Sequence, residues 1–267
     1  MPDLHALLPS VLELARAAGR EIMAVYARDF RVDEKADSSP LTDADLRSQK
    51  LILAGLARLT PDIPIVAEEA AALPFEERSR WPQLWLVDPL DGTREFVSRN
   101  PEFTVNIALV QDHRPVLGVV HVPAQTLDYY AARGDGAFRQ AAARAPEPIH
   151  AAPKSANPVR VVGSKSHRGD SLDGLLARLG PHELKPVGSS LKLCLVAEGA
   201  ADFYPRLGPT MEWDIAAAQA VLECAGGYVT DLDGQPLRYN TRESLLNPHF
   251  IAYADASRNW LQYVPRS

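Results

Sequence analysis

The feature that most constrains this chain is a change of hydrophobic period along its length. Leu4, Leu7, Leu8, Val11, Leu12, Ala15, Ala18, Ile22 and Val25 recur at helical spacing, which predicts one amphipathic helix over residues 4–27. Residues 29–41 are polar and read as loop, and Thr42 opens a second helix with Leu46, Ile52, Leu53, Leu56 and Leu59 on its apolar face. The helical period then stops. Ile63–Ala67, Leu84–Val87, Phe103–Val110, Val116–His121 and Leu127–Ala132 are short β-branched or aromatic runs bounded by Pro, Gly and Asp, which predict strands. The Ala- and Pro-rich stretch from Gln140 to Pro158 divides the chain into expected halves, residues 1–140 and 141–267.

The second half alternates. Strands are expected at Val159–Val162, Leu184–Val187, Asp202–Tyr204 and His249–Tyr253. Helices are expected at Leu172–Leu179, Leu191–Glu198 and Glu212–Ala225, the last closed by Gly226-Gly227. Two helices, a mainly antiparallel sheet and then alternating elements imply a layered α/β (α+β) architecture. Asp231-Leu232-Asp233-Gly234 reads as a hairpin turn, because the remaining ligand pattern of a calcium loop is missing.

Composition narrows the function classes. The 267 residues carry a formal charge of −6, without the basic footprint that binding a nucleic-acid polymer requires. No run approaches the roughly 20 apolar residues of a membrane span, so no integral membrane association is expected. The two cysteines, Cys194 and Cys224, are expected as buried free thiols in a reducing compartment. The opening residues lack a signal-peptide pattern, which points to the cytoplasm and leaves peripheral contact with the inner membrane face open.

The chemistry concentrates in Asp88-Pro89-Leu90-Asp91-Gly92-Thr93, at the end of a predicted strand. Pro89 fixes the backbone and turns the Leu90 carbonyl outward, while Asp91 returns to the side of Asp88. Two carboxylates and a carbonyl at one point suit Mg²⁺, and amides of Gly92 and Thr93 opening a helix would suit a phosphate oxygen. Glu68 and Glu69 follow another strand, where adjacent carboxylates are either solvated or neutralised by a cation. Asp214 stands at the start of a helix and Asp45 follows Thr42 as part of a capping box, and local rules explain both without a metal.

Taken together, these segments resemble the lithium-sensitive, magnesium-dependent inositol monophosphatase family, and most closely its CysQ-type 3'(2'),5'-bisphosphate nucleotidases. The resemblance runs through Pro-Leu-Thr-Asp-Ala-Asp at 40–45, Val-Ala-Glu-Glu at 66–69 and Asp-Pro-Leu-Asp-Gly-Thr-Arg-Glu-Phe at 88–96. It continues in Glu102–Asn106, Gly188-Ser189-Ser190-Leu191-Lys192, Tyr204-Pro205-Arg206, Trp213-Asp214 and Arg242-Glu243-Ser244. Ala67 and Asp43 depart from residues common in relatives, and neither is an expected ligand.

The resemblance implies a layered α-β-α-β-α sandwich and two to three Mg²⁺ per site. Glu68, Asp88 and the Leu90 carbonyl would hold one ion. Asp88, Asp91 and Asp214 would hold a second, and Glu69 would support a third through water. Asp45 and Thr93 would orient and deprotonate the attacking water. Substrate contacts would come from Glu68, Leu90, Asp91, Gly92, Thr93, Ser190, Lys192, Arg206 and Asp214, with Lys165 and Arg168 as further cations. A cation at Arg206, where inositol monophosphatases use a Glu, suits a second phosphate. The implied reaction removes the 3'-phosphate of adenosine 3',5'-bisphosphate (PAP) to give AMP, with the phosphosulfate PAPS as a second substrate and Li⁺ as an inhibitor.

Inositol monophosphatase and fructose-1,6-bisphosphatase activities are the nearest alternatives. In the haloacid-dehalogenase pattern Asp-x-Asp one residue separates the aspartates, whereas here Pro89 and Leu90 intervene. A metal or phosphate sensor without turnover is the rival from another class. Oligomeric state is not legible from the sequence.

Overall fold

The computed structural model describes residues 2–34, 40–71, 73–164 and 170–265. The first half opens with helix α1 (Leu4–Tyr26), strands β1 (Val32–Glu34) and β2 (Pro40–Thr42), and helix α2 (Asp43–Leu59). It continues with β3 (Ile65–Ala67), α3 (Phe75–Arg78), β4 (Gln83–Asp91), α4 (Thr93–Val97), β5 (Thr104–Gln111) and β6 (Arg114–Val122). Strands β7 (Leu127–Ala132), β8 (Gly136–Ala141) and β9 (Glu147–Pro148) follow. The second half runs β10 (Val159–Ser164), α5 (Asp170–Leu179), β11 (His182–Val187), α6 (Leu191–Ala197), β12 (Phe203–Arg206), α7 (Glu212–Cys224), β13 (Tyr228–Asp231) and β14 (Phe250–Tyr253).

Among the described residues, β3 to β9 form one sheet in sequence order, parallel between β3 and β4 and antiparallel elsewhere. A second sheet has the order β11-β10-β12-β14-β13, and β1 pairs with β2. Period-two alternation sorts the first sheet's side chains to two cores. Trp85, Val87, Ile107, Leu109 and Val119 face α1 and α2, whereas Leu84, Leu86, Ala108, Val110 and Val120 face α6 and α7. Each fully buried Leu or Val contributes roughly 1.5–3 kcal/mol relative to exposure. The second sheet closes the middle layer with Val162, Tyr204 and Ala252, and turns Val161, Phe203 and Ile251 toward α5 and Trp260. The result is the expected α-β-α-β-α sandwich.

Several local expectations are corrected. The segment 29–41 contains β1 and β2, whose pairing Val32 with Thr42 supplies the ladder that polar composition concealed. Within the stretch from Gln140 to Pro158, β8 reaches Ala141 and β9 adds to the sheet edge through Arg139–Glu147. Leu46 and Leu59 are exposed at 49% and 38%, so the buried stripe of α2 is narrower than its leucines suggest. Cys194 is buried and Cys224 half-buried, both as free thiols. Strand β13 and helix α3 escaped the sequence reading. The Asp231–Gly234 turn is present, with Gly234 N donating to Asp231 O at 3.2 Å.

One close approach fixes where α7 lies. A Cβ at Gly118 of β6 would stand 2.2 Å from the Ala217 carbonyl oxygen, so the helix backbone rests directly on the sheet. No helix of the described residues is long and apolar enough to cross a membrane.

Candidate metal and phosphate site

The register of β4 against β5 builds the centre of the site. Asp88 pairs with Asn106 and Asp91 with Thr104, three steps on one strand against two on the other. Residues three apart face opposite sides of a regular strand; the extra residue at Pro89-Leu90 forms a bulge that returns both aspartates to one side. Pro89 donates nothing to the ladder, and its carbonyl accepts from Ser48 Oγ at 2.7 Å. Leu90 N donates to Asp88 Oδ1 at 3.0 Å.

The parallel pair β3–β4 supplies the next carboxylate. Glu68 N donates to Val87 O at 3.1 Å, so Glu68 leaves its strand beside Asp88. Asp214 enters from the first turn of α7, where Met211 N donates to Asp214 Oδ2 at 2.9 Å. Glu68, Asp91 and Asp214 act electrostatically on Asp88, so acidic groups from three separate segments of the chain come close together.

Burial and mutual repulsion hold the carboxyls up. Asp88 lies well above the ordinary carboxylate range, first through desolvation and then through Glu68, Asp91 and Asp214. Asp214 is likewise raised well above it, by desolvation and then by Asp91. Asp91 is pushed up to about 6 by desolvation, against the opposing pull of Lys192 and the Ser190 amide. Among the described residues no group of three or more His, Cys, Asp or Glu side chains stands as a formed metal cage. The donor chemistry nevertheless fits a hard divalent cation, since all donors are oxygen and the shared repulsion is the kind a cation relieves.

A cavity of about 430 Å³ opens over this cluster. Glu68, Asp91, Gly92, Thr93, Glu95 and Asp214 are among the residues that line it. Ser190, Lys192 and Arg206, later in the chain, line it as well. Asp45, Asp88 and Leu90 are each 1% exposed and lie outside the lining, below the cavity surface. Glu69 is also outside the lining, with its amide bonded to Gln49 Oε1 at 3.0 Å. Lys165 and Arg168 fall outside the described residues.

Asp45 combines both of its expected positions. Oδ2 accepts from Thr42 N at 2.8 Å in a capping box, while Thr93 Oγ1 lies 3.2 Å from Asp45 Oδ1 and 3.2 Å from the Leu90 carbonyl oxygen. Gly92 has φ 91°, left-handed backbone that suits glycine, and it turns the chain into α4.

The cationic side rests on the turn before α6. Lys192 Nζ donates to the carbonyls of Val187 (3.2 Å) and Ser189 (2.5 Å) and lies 5.5 Å from the Tyr204 ring centre. Burial lowers Lys192 to about 8, and Asp91 opposes that shift. Arg206 donates through Nη2 to Pro209 O at 2.6 Å, and its Nε is buried without a partner. Ser189, absent from the expected substrate contacts, has φ 48° and a buried, unpartnered Oγ on the cavity wall. The anchors of Asp91 also went unassigned: Thr104 and Asn106 lie 3.4 Å from its Oδ2, and both bond Ser190 Oγ. Two polar residues at period two, ahead of the apolar run Ile107–Val110, were the signal that could have found them.

The inositol monophosphatase family model matches residues 3–260. The 3'(2'),5'-bisphosphate nucleotidase CysQ of Salmonella typhimurium is 48% identical over 246 residues, covering 91% of this chain and 98% of the relative. The protein of the same name from Escherichia coli K12 is 47% identical over the same shares. The crystal structure of CysQ from Bacteroides thetaiotaomicron, described as a bacterial member of that family, superposes with a TM-score of 0.82 at 40% identity, covering 95% of this chain and 98% of that one. An inositol monophosphatase from Anabaena gives 0.78 at 28% identity, covering 99% and 98%. The chain belongs to the inositol monophosphatase family.

Proposed function

We propose that the chain is a 3'(2'),5'-bisphosphate nucleotidase that hydrolyses the 3'-phosphate of adenosine 3',5'-bisphosphate to give AMP and phosphate, and PAPS by the same route. The observation that carries the reading is one cavity lined both by the carboxylates Glu68, Asp91 and Asp214 and by the cations Lys192 and Arg206. The similarity to CysQ nucleotidases over 91% of the chain supports the same substrate class.

Two to three Mg²⁺ ions fit the proposed holders Glu68, Asp88, Asp91, Asp214 and the Leu90 carbonyl, with Glu69 as an outer support. Bound there, Mg²⁺ would supply charge neutralisation, water activation and leaving-oxygen stabilisation. The chain's own residues then position and move protons. Thr93 Oγ1 faces the attacking water and passes a hydrogen to Asp45 Oδ1, so the water's proton finishes on a buried carboxylate capped by Thr42. The new P–O bond forms as the 3' C–O–P link breaks at phosphorus, and the leaving oxygen is protonated from solvent. Ser190, Lys192 and Arg206 hold the second phosphate, with Gly92 and Thr93 amides at the reacting one.

Phosphate release from adenosine 3',5'-bisphosphate, PAPS, inositol 1-phosphate and fructose 1,6-bisphosphate, with and without Mg²⁺ and Li⁺, tests the reading. The nucleotide is expected to have the highest kcat/KM, to require Mg²⁺ and to lose turnover in Li⁺. More efficient hydrolysis of inositol 1-phosphate would overturn it.

A further inference from the structure

The Arg242-Glu243-Ser244 segment, part of the family resemblance but without a role in the chemistry above, leads into Leu246, which lines the cavity. Arg242 Nη2 donates to Leu246 O at 2.9 Å, and Leu246 N donates to Ser244 Oγ at 3.1 Å. The resulting turn pairs Leu246 with Met211. Glu212 N donates to Leu245 O, and Asn247 N to Thr210 O, each at 2.8 Å. Leu246 thereby projects over the cavity at 42% exposure, a large apolar side chain with room for a partner.

A buried arginine from the first half holds this turn. Arg78 of α3, 1% exposed, donates through Nη1 to Asn240 Oδ1 at 2.7 Å and through Nη2 to the carbonyls of Arg242 (2.9 Å) and Glu243. Its own carbonyl accepts from Asn240 Nδ2 at 2.6 Å. Asn240 N in turn donates to Glu212 Oε2 at 2.8 Å. Guanidinium donors spent on backbone carbonyls fix a chain path, since a planar fork satisfies several acceptors with one orientation.

We infer that Leu246 is the specificity residue that contacts the base of the nucleotide, and that Arg78 is its positioning residue. This rests on the nucleotidase reading. A bisphosphate nucleotide presents two anionic groups and one flat, largely apolar base. The carboxylate cluster and the Lys192–Arg206 side take the anionic groups, and the apolar wall of Leu246 and Met211 remains for the base. Packing of an aliphatic side chain on a base face removes apolar surface from water without hydrogen-bond readout, so it favours a nucleotide over its base-free sugar.

The test compares adenosine 3',5'-bisphosphate with 1-deoxyribose 3,5-bisphosphate, the same sugar without its base. Native protein is expected to prefer the nucleotide by kcat/KM. In Leu246→Ser the preference falls about tenfold, carried by KM of the nucleotide, and in Leu246→Met it is retained. Arg78→Met is expected to lose the preference in the same direction; if it does not fold, the Leu246 pair decides alone. Hydrolysis of neither compound by native protein overturns the nucleotidase reading. Hydrolysis of both with one preference shared by native protein and Leu246→Ser leaves that reading standing and overturns the role of Leu246.

Discussion

The amide of Ser190 donates to Asp91 Oδ2 at 2.5 Å, joining residues 99 positions apart. A turn of the second half thus holds a carboxylate of the first, and the same turn carries the start of α6. The orientation of Asp91 is set by hydrogen bonds, while its carboxylate lines the cavity where a ligand would sit.

That separation makes Asp91→Asn informative. The amide oxygen of Asn still accepts from Ser190, so far- and near-ultraviolet circular dichroism should remain native. The lost charge removes a proposed holder of divalent cation, and kcat/KM should drop at least about a hundredfold, the scale of losing one fixed electrostatic contact in a transition state. Near-normal turnover at saturating Mg²⁺ would reject the assignment of Asp91.

Thr93 stands between Asp45 and the cavity, which separates proton handling from ion binding. Thr93→Ala and Asp45→Asn should each lower kcat by about 10²–10⁴, the usual range for a lost general base. The Mg²⁺ concentration giving half activity should change much less, and Thr93→Ser should recover most of the rate. Mg²⁺ titrations of steady-state rate check this; a shifted Mg²⁺ requirement with unchanged saturated rate would place both residues in ion binding instead.

How much of this was legible depended on the range of the cause. The change of period is local, and it located the layers and most strand ends; the Asp88–Thr93 string is equally local. The capping box of Asp45 was equally local, yet its 3.2 Å approach to Thr93 needs α2 and β4 packed together. Non-local pairing hid the rest. β1 and β2 are stabilised by each other rather than by hydrophobic alternation, and Arg78 looks like any surface arginine until residues 240–243 close over it. Leu46 misled because its spacing is helical while its side chain is 49% exposed.

The raised carboxyls make stability depend on pH and, under the proposed ion binding, on divalent cation as well. An acid whose folded value is raised binds more protons folded than unfolded, so stability is present at low pH and lost as pH rises. For Asp91, raised to about 6, the loss spans pH about 4 to 6, and Asp88 and Asp214, also raised, act in the same direction. Asp91 alone corresponds to about 3 kcal/mol at about 1.4 kcal/mol per unit. In chelator, the melting temperature should therefore fall by several degrees between pH 5 and pH 8, and Mg²⁺ should restore more at pH 8 than at pH 5. Calorimetry at both pH values checks this, and equal Mg²⁺ stabilisation at the two would sink the linkage.

Gly118 connects the sheet to the acidic cluster through α7. A Cβ there would stand 2.2 Å from Ala217 O and 2.8 Å from Ala220 Cβ, and a backbone carbonyl cannot step aside as a flexible side chain can. Gly118→Ala should push α7 off the sheet at a cost of about 1–3 kcal/mol, the scale of overpacking a filled core. For a chain of this size that lowers the melting temperature by roughly 2–10 °C. The same displacement moves Asp214 in the first turn of α7 relative to Asp88 and Asp91. The Mg²⁺ concentration for half activity should therefore rise together with the thermal loss. Calorimetry and Mg²⁺ titration of one preparation separate the two effects: a lower melting temperature with an unmoved Mg²⁺ requirement would show that α7 yields locally at residues 217–220 and leaves Asp214 in place.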